Sequence, residues 1–419
     1  MTGSWRRIDA AYALAVFAVA LAASQAFLHG YPLPAPRHDA DLYSRIARNL
    51  AAGKGFTRDG IHPYAGVPPL FSFLLGMWFR LVGDSVQSAA ILQSILHSLS
   101  AGAAYGLFRA MSCGPRWSLF LALVVALQPI LLTRVAFILQ EPAILLFTTL
   151  ALFATSMWLR GKSDRWACAS GVLWGLATLA KAVTLFVLPL AFAYRLIRGR
   201  GEGRIAFRQA AQFGLLFLAV LAPWTARNYV LFHRLIPISD QMGGAFFEWR
   251  ASGGAPAGNI GGRGDGEGKD LRDWTWNRRI VALAGKTNAY LGDFPMDRVA
   301  RNAIDFTGPA RDWWWERGRY GPEEEREWYW VVHDVFHRFL YLFLLVLVVL
   351  TLWGKLPPSR GFIALFCLLY WMEYSFMLGI PRYSVPLYPA LLALLIPNAR
   401  KPAFPSGEGD GSRLTPEMS

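Results

Sequence analysis

Two acidic and three basic side chains stand far apart in the sequence, yet together their types could support one reaction. The acids are Asp39 and Glu141, and the cations are Lys181, Arg227 and Arg382. A carboxylate can deprotonate an acceptor hydroxyl while cations bind a phosphate, so the set suits transfer from a phosphate-activated donor. Each residue also has a simpler interpretation, because acids cap helices and cations at the membrane edge extend to lipid headgroups. The chemical interpretation therefore depends on elements that bring the five residues together.

Asp39 opens a short segment that the residue spacing predicts to be a surface helix. Its apolar residues recur every four positions and two glycines close it: Leu42, Ile46 and Leu50, then Gly53 and Gly55. Asp39 and Asp41 fall at the start of this helix, where a carboxylate accepts from free N–H groups and opposes the helix dipole. We favour that capping role for Asp41 and a functional role for Asp39.

Glu141 has two interpretations that the sequence leaves open. It stands immediately before Pro142, and Pro favours the first helical position, so Glu141 could cap a helix. An acid at membrane depth is costly, however, and usually has a function. The predicted topology also places Glu141 on the same face of the membrane as Asp39, which supports a function, and the two interpretations stay equally open.

The composition indicates a multi-span membrane protein. Of 419 residues, 54% are hydrophobic and only 17% are charged, which is too apolar for an ordinary soluble domain. The net charge of +14 would suit nucleic acid, but basic residues of membrane proteins collect in cytoplasmic loops, so we exclude nucleic-acid binding. Three widely spaced cysteines, Cys113, Cys168 and Cys367, indicate neither a metal site nor a disulfide framework.

Positive charges predict the orientation of the chain. Arg6 and Arg7 precede the first apolar run, which predicts a cytoplasmic N-terminus and an external segment at 29–85. Residues 166–196 are too long for one crossing and have arginines at both ends. We therefore predict a hairpin of two short helices with Lys181 near its outer tip. The same pattern along the rest of the chain predicts about ten transmembrane helices with both termini in the cytoplasm.

The predicted fold is an all-α polytopic membrane protein with four regions. In order, these are a transmembrane catalytic module with the external loop 29–85, a large extracytoplasmic loop with a Gly-rich segment at 252–269, C-terminal transmembrane helices, and a disordered cytoplasmic tail. Their boundaries are 1–232, 233–337, 338–398 and 399–419.

Two further groups of polar residues are weaker candidates. His333 and His337 lie four positions apart beside Asp334, but two ligands do not make a metal site, so no metal is assigned. Glu373 falls inside an apolar run, where a carboxylate either pairs with a cation or lines a cavity.

Short motifs follow one another along the chain in a characteristic order. The first is Asp39-x-x-x-Tyr43-x-x-Ile46-Ala47-x-Asn49-Leu50-x-x-Gly53-x-Gly55-Phe56, then Pro68-Pro69-Leu70. The later ones are Gln140-Glu141-Pro142, Gly175-Leu176-Ala177-Thr178-Leu179-Ala180-Lys181, Pro223-Trp224-x-x-Arg227-Asn228, Ile236-Pro237-Ile238-Ser239 and Pro381-Arg382-Tyr383-x-x-Pro386. Together they resemble the signatures of family 39-type GT-C glycosyltransferases over about 10–244 and again near 377.

The resemblance implies a transferase that takes a sugar from a polyprenyl-phosphate carrier and gives it, with inversion, to a hydroxyl of a lipid, glycan or protein acceptor. It implies Asp39 as the base, Glu141 as a second acid, and cations for the carrier phosphate at Lys181, Arg227 and Arg382. The predicted substrate-binding set is completed by motif neighbours: Asp41, Tyr43, Asn228 and Tyr383. The implied location is the cell inner membrane with the active site facing the periplasm. No cofactor is required, and assistance by a divalent cation is left open.

The sugar and the acceptor do not follow from the resemblance. Ala40 stands where many relatives have Glu, and Leu42 and Val67 lie near positions where the aminoarabinose and protein-mannosyl branches carry a Lys or Arg. Two other classes of function are considered. A transporter would need ionisable residues near the bilayer midplane, for which Glu373 is the candidate. A non-catalytic membrane subunit would keep the fold without the activity.

Overall fold

The computed structural model describes residues 7–30, 33, 35–36, 39–233, 235–239, 343, 346–353, 356–377 and 381–396. Within them, β structure is limited to an isolated antiparallel bridge between Thr57 and Pro63. The α-helices are α1 (Arg7–Gly30), α2 (Asp39–Ala51), α3 (Pro69–Val82), α4 (Val86–Ala110), α5 (Pro115–Ala126), α6 (Pro129–Arg134), α7 (Glu141–Gly161), α8 (Asp164–Ala180), α9 (Val187–Arg198), α10 (Gly203–Phe232), α11 (Pro358–Met377) and α12 (Tyr388–Leu395). Short 3-10 helices are η1 (Ala182–Phe186), η2 (Arg200–Glu202) and η3 (Pro381–Leu387). The predicted all-α fold is confirmed.

Three helical segments of the described chain have the length and apolar composition to cross a membrane: Arg7–Gly30, Glu141–Gly161 and Arg200–Phe232. In a helix the backbone N–H and C=O groups bond to one another, which is necessary in a membrane because lipid tails offer no hydrogen-bond partners. With 25 residues α4 is also long enough to cross, but its interior carries Gln93 and His97. The count of about ten crossings stays a prediction.

The main bundle is built around α7, which packs against α4 and α8, while α8 packs against α10 and α4 against α1. Glycines permit the close approach of α8 to α10. A Cβ atom at Gly171 would lie 2.4 Å from the carbonyl oxygen of Phe213, and one at Gly175 would lie 2.7 Å from Cβ of Val220. The backbone of α8 contacts α10 directly at Gly171 and Gly175, where a side chain would not fit. Since these two positions allow the close contact, they fix how α8 is aligned along α10.

A buried ion pair joins α1 to α4 at the predicted cytoplasmic end of the bundle. Asp9 is only 1% exposed and accepts hydrogen bonds from the Tyr105 hydroxyl at 2.6 Å and from Nε of Arg109 at 2.7 Å. A buried carboxylate is tolerated when it is paired and hydrogen-bonded. These three side chains therefore fix the position of α1 against α4.

The predicted external loop 29–85, here called the first external loop, is joined to the bundle by an apolar cluster that is separate from the main core and is here called the outer cluster. Its members come from α2, α3, α4, α7, α10 and the loops next to them: Ala40, Tyr43, Ile46, Ala47, Phe56, Val67, Phe71, Leu75, Phe79, Ala89, Leu92, Leu96, Ile138, Ala143, Leu146 and Trp224. A Cβ atom at Gly76 of α3 would lie 2.8 Å from Cβ of Leu50 of α2, so these two helices pack closely. The predicted surface helix is α2, and it is docked on the protein through this cluster.

Several predictions concern residues outside the described part of the chain. These are the Gly-rich segment 252–269 with most of the loop 233–337, the histidines His333 and His337, and the tail 399–419. The boundaries of the four regions stay predictions.

Candidate active site

Asp39 is the first residue of α2 and is exposed. In the same turn, Oδ2 of Asp41 accepts a hydrogen bond from Nε of Arg45 at 2.8 Å, in an exposed ion pair of the kind that contributes little to stability. Tyr43 is 4% exposed and packs edge-on against Phe71, with ring centroids 5.2 Å apart. These contacts favour a surface role for Asp41 and a core role for Tyr43, whereas Asp39 stands at the solvent-facing start of the helix.

Glu141 is the first residue of α7 and is buried. The segment before it, 135–140, is irregular, and Gln93 of α4 holds it in place. Nε2 of Gln93 donates to the carbonyl oxygens of Phe137 at 2.6 Å and Leu139 at 2.7 Å. Carbonyl groups freed by a helix break at membrane depth need donors from neighbouring side chains. Gln93 therefore positions the start of α7.

His97, about one turn further along α4, has a similar role. Its Nε2 lies 3.0 Å from the carbonyl oxygen of Ala126, the last residue of α5. The ring nitrogen therefore donates to a carbonyl group at a second helix end. Arg134 at the end of α6 is also buried. None of Gln93, His97 and Arg134 was predicted as a site or positioning residue. The signal that could have found the first two is a pair of polar residues four positions apart in an otherwise apolar helix.

Lys181 interrupts the helical hairpin, as predicted. α8 ends at Ala180, and Lys181 has extended backbone angles, φ −155° and ψ 118°. Across the break the hydroxyls of Thr178 and Thr184 lie 2.9 Å apart, and that of Thr184 also donates to the Lys181 carbonyl at 3.2 Å. Lys181 is buried, and its Nζ lies 5.5 Å from the centroid of the Tyr374 ring. A ring face stabilises a cation without cancelling its charge.

Four aromatic residues on one face of α11, here called the aromatic ladder, set the position of the Tyr374 ring. Phe362, Phe366, Tyr370 and Tyr374 recur every four residues and so share one face of the helix. The rings of Phe366 and Tyr370 are 5.7 Å apart, those of Tyr370 and Tyr374 are 5.1 Å apart, and Phe366 lies 5.0 Å from Trp174 of α8. The ladder therefore ties α11 to the hairpin that carries Lys181.

Arg227 lies near the end of α10 and reaches the first external loop. Its Nη1 donates to the Tyr64 carbonyl and to Oδ1 of Asn228, both at 2.8 Å, and its Nη2 donates to the Phe56 carbonyl at 3.2 Å. The guanidinium carbon lies 4.6 Å from the Trp224 ring centroid. All of these partners are neutral, so the charge of Arg227 is not cancelled by them.

The remaining predicted site residues lie on two elements. Asn228 is fully buried, and its Nδ2 donates to the carbonyl oxygen of Ile236 at 3.0 Å, which is a structural contact. The backbone of Arg382 and Tyr383 lies in η3, which packs against α7. Their side chains lie outside the described part of the structure.

Asp39, Glu141, Lys181 and Arg227 lie at one end of the bundle. Each stands within three positions of a residue that belongs to the outer cluster or packs against it: Ala40, Ala143, Leu179 and Trp224. The helix directions agree. The short connection between α7 and α8 makes these two helices antiparallel, and α8 runs parallel to α10 because Gly171 meets Phe213 and Gly175 meets Val220 further along both helices. The start of α7 therefore meets the ends of α8 and α10, and four distant stretches of chain supply two acids and two cations there.

The first external loop has another acid, Asp59, with a different environment. Its Oδ2 lies 2.6 Å from Nδ1 of His62, and its Oδ1 accepts from the N–H groups of His62 and Ile61 at 2.8 and 2.9 Å. The His62 side chain, followed by these two N–H groups, holds the pKa of Asp59 well below its usual range. A carboxylate with so low a pKa is a weak base, so Asp59 shapes the loop tip and is a poor candidate for proton abstraction.

Among the described residues, no three His, Cys, Asp or Glu side chains come close enough together to hold a metal ion. The three cysteines are free. Glu373 is partly buried in α11, next to Tyr374.

Comparison with known proteins identifies the fold. The family model of the dolichyl-phosphate-mannose-protein mannosyltransferases matches residues 66–226. The structure of ArnT from Cupriavidus metallidurans bound to undecaprenyl phosphate superposes with a TM-score of 0.52 and 16% identity, over 94% of this chain and 60% of that one. This chain has a GT-C fold. The resemblance inferred from the motifs is thereby confirmed, and so is the membrane character of the protein.

A second GT-C structure agrees. The archaeal oligosaccharyltransferase AglB from Archaeoglobus fulgidus, in complex with an inhibitory peptide and a dolichol-phosphate, gives a TM-score of 0.55 with 13% identity. The match covers 93% of this chain and 50% of AglB, so the chain spans between half and two thirds of the lengths of these two structures. A sequence search of curated proteins finds no match. The family match includes Glu141 and Lys181, begins after Asp39 and ends just before Arg227.

Proposed function

We propose that this GT-C protein is a glycosyltransferase that moves a sugar from a polyprenyl-phosphate carrier to an acceptor hydroxyl at the periplasmic face of the cell inner membrane. One observation carries the proposal: Asp39, Glu141, Lys181 and Arg227 each lie within three positions of a residue that belongs to the outer cluster or packs against it, so two acids and two cations from four distant stretches of chain lie at one end of the bundle. Two comparisons support it, because the matching family model is named for transfer from dolichyl-phosphate-mannose and the ArnT structure is bound to undecaprenyl phosphate.

Asp39 is the proposed base. The acceptor oxygen attacks the anomeric carbon of the sugar while its proton passes to the Asp39 carboxylate. The bond between that carbon and the phosphate oxygen breaks, the polyprenyl phosphate leaves with the electron pair, and the configuration inverts. Of the three other acids in the loop 29–85, Asp41 and Asp84 form ion pairs with Arg45 and Arg48, and Asp59 is a weaker base because its pKa is held below its usual range.

Lys181 is the proposed ligand of the carrier phosphate. Negative charge grows on that phosphate as the sugar departs, and a cation fixed in a poorly hydrated position stabilises the growing charge more strongly than one in water. Lys181 is 7% exposed, and both the threonine contacts across the hairpin break and the Tyr374 ring hold it in place. Glu141, at the buried start of α7, is the proposed second acid of the site, and Arg382 with Tyr383 on η3 would add to its wall.

A pair of matched variants tests the base. Asp39→Asn removes the proposed proton acceptor, whereas Asp41→Asn makes the same chemical change two residues away in an exposed ion pair. Purified protein in detergent is mixed with radiolabelled polyprenyl-phosphate sugars and a membrane extract that contains acceptors. We expect Asp39→Asn to lower transfer by about 100-fold or more and Asp41→Asn by less than about threefold.

Two results would count against the proposal, in different ways. Equal transfer by wild type and Asp39→Asn would remove Asp39 from the role of base and leave the activity standing. Absence of transfer by the wild-type protein from every carrier sugar tested, with a known transferase active in the same extract, would contradict the glycosyltransferase function itself.

A further inference from the structure

Three side chains near the end of α10 donate hydrogen bonds to the segment 235–239, which follows this helix in the chain. The carbonyl oxygens of three consecutive residues in the segment 235–239 each accept a hydrogen bond from a different donor. The pairs are Asn228 Nδ2 with Ile236 at 3.0 Å, Thr225 Oγ1 with Pro237 at 2.9 Å, and Trp224 Nε1 with Ile238 at 2.6 Å. The segment 235–239 is therefore hydrogen-bonded to the last two turns of α10.

Arg227, on the same turns, holds a second external segment. It donates to the carbonyl oxygens of Phe56 and Tyr64, and the Tyr64 N–H also donates to Phe56 at 3.0 Å. The two contacts of Arg227 therefore lie at the two ends of the loop 56–64. The Phe56 ring is buried 4.8 Å from the Trp224 ring, which adds an apolar contact between this loop and α10.

These contacts engage three of the five N–H groups of the Arg227 guanidinium and so compete with a phosphate clamp. A bidentate clamp uses two adjacent N–H groups that point the same way. Both N–H groups of Nη1 are engaged, one by Tyr64 and one by Asn228, and Nη2 is engaged by Phe56. Aromatic rings lie around the group as well, at 4.6 Å for Trp224 and 5.7 Å for Phe232. The geometry favours attachment of the loop over binding of a phosphate.

The loop held by Arg227 is continuous with the helix that carries Asp39. Nδ2 of Asn49, in α2, donates to the Thr57 carbonyl at 3.0 Å, and the Asn49 carbonyl accepts from the Lys54 N–H at 2.8 Å. Asn49 thus fastens the end of α2 to the residue next to Phe56. A displacement of Phe56 from α10 would be transmitted through Asn49 to α2 and its first residue.

We propose that Arg227 is a positioning residue that holds the first external loop, and with it α2 and Asp39, against α10 and the segment 235–239. Its effect on catalysis, which rests on the proposed function, then goes through the placement of Asp39 and not through contact with the carrier phosphate.

Hydrogen exchange measured by mass spectrometry on the purified protein tests the attachment directly. The variants are Arg227→Lys, which keeps the charge but cannot span both carbonyls and Asn228, and Arg227→Gln, which removes the charge. We expect both to speed exchange in peptides covering 52–66 by about tenfold. Thr225→Val is the matched control, because it removes the bond to Pro237 from the same turns and should speed exchange only in peptides covering 235–239.

Kinetics separates positioning from phosphate binding. We expect Arg227→Lys to lower kcat by about tenfold or more while the KM for the carrier sugar stays within about threefold. An Arg227→Lys variant with wild-type exchange over 52–66 and a KM raised about tenfold would overturn the inference. If Arg227→Gln does not fold, Arg227→Lys decides the question alone. If the wild-type protein transfers no sugar, the proposed function fails, yet the exchange data still confirm or contradict the attachment.

Discussion

Replacement of Gln93 by Leu tests how the buried start of α7 is positioned. The Leu139 carbonyl would lose its donor, which costs about 1–3 kcal/mol for a buried group. The Phe137 carbonyl would lose less, about 0.5–1.5 kcal/mol, because it also accepts from the Leu139 N–H. Since the more apolar Leu side chain offsets some of this, we expect a net loss of about 2 kcal/mol in the free energy of unfolding.

The assay is thermal unfolding in detergent at one scan rate, with a neighbouring variant as control. At about 1 °C per kcal/mol for a chain of 419 residues, Gln93→Leu should lower the Tm by about 2 °C. Ser94→Ala is the matched control, because Ser94 is also fully buried and polar but its hydroxyl donates only within α4, to Ala90. We expect that change to lower the Tm by less than about 0.5 °C.

Equal Tm values for Gln93→Leu and Ser94→Ala would refute the positioning role of Gln93. The same conclusion would follow if Gln93→Leu kept full transferase activity, because Glu141 begins the helix that Gln93 places. A loss of activity that greatly exceeds the loss of stability would instead show that the start of α7 tolerates little displacement.

Two further outcomes follow from other contacts. Lys181→Gln should raise the KM for the carrier sugar about 10- to 100-fold with a smaller effect on kcat, and an unchanged KM in steady-state assays would argue against phosphate binding by Lys181. Gly171→Val should lower the Tm by several degrees, because its side chain would overlap the α10 backbone, and a wild-type Tm would contradict the close packing of α8 on α10.

The hairpin around Lys181 shows what the sequence could predict. The segment 166–196 is bounded by arginines and is too long for one crossing, and these two facts require a reversal near its middle. The structure has the break at Lys181, and Thr178 and Thr184 close it. The position of a break between two short helices is a local property, and so it could be read from spacing and charge.

The contacts of Gln93 and Arg227 show what the sequence could not predict. Gln93 donates to carbonyls more than forty residues away, and Arg227 to carbonyls more than one hundred and sixty residues away. Backbone carbonyls have no signature in the sequence, so a side chain that binds them cannot be told from one that binds a ligand. For Arg227, the motif implied a phosphate ligand, whereas its contacts indicate attachment of the loop. For Asp41, the sequence favoured a helix-capping role, and the contact that the structure shows is a local ion pair with Arg45 at i+4.

The most direct test of the account is an experimental structure of the full chain with undecaprenyl phosphate as the probe. The account predicts that the phosphate lies within about 3 Å of Nζ of Lys181, in a cavity into which the Asp39 carboxylate also points, with Arg227 still on the Phe56 and Tyr64 carbonyls. A phosphate bound away from Lys181, or an Asp39 carboxylate that faces away from it across the first external loop, would contradict the account.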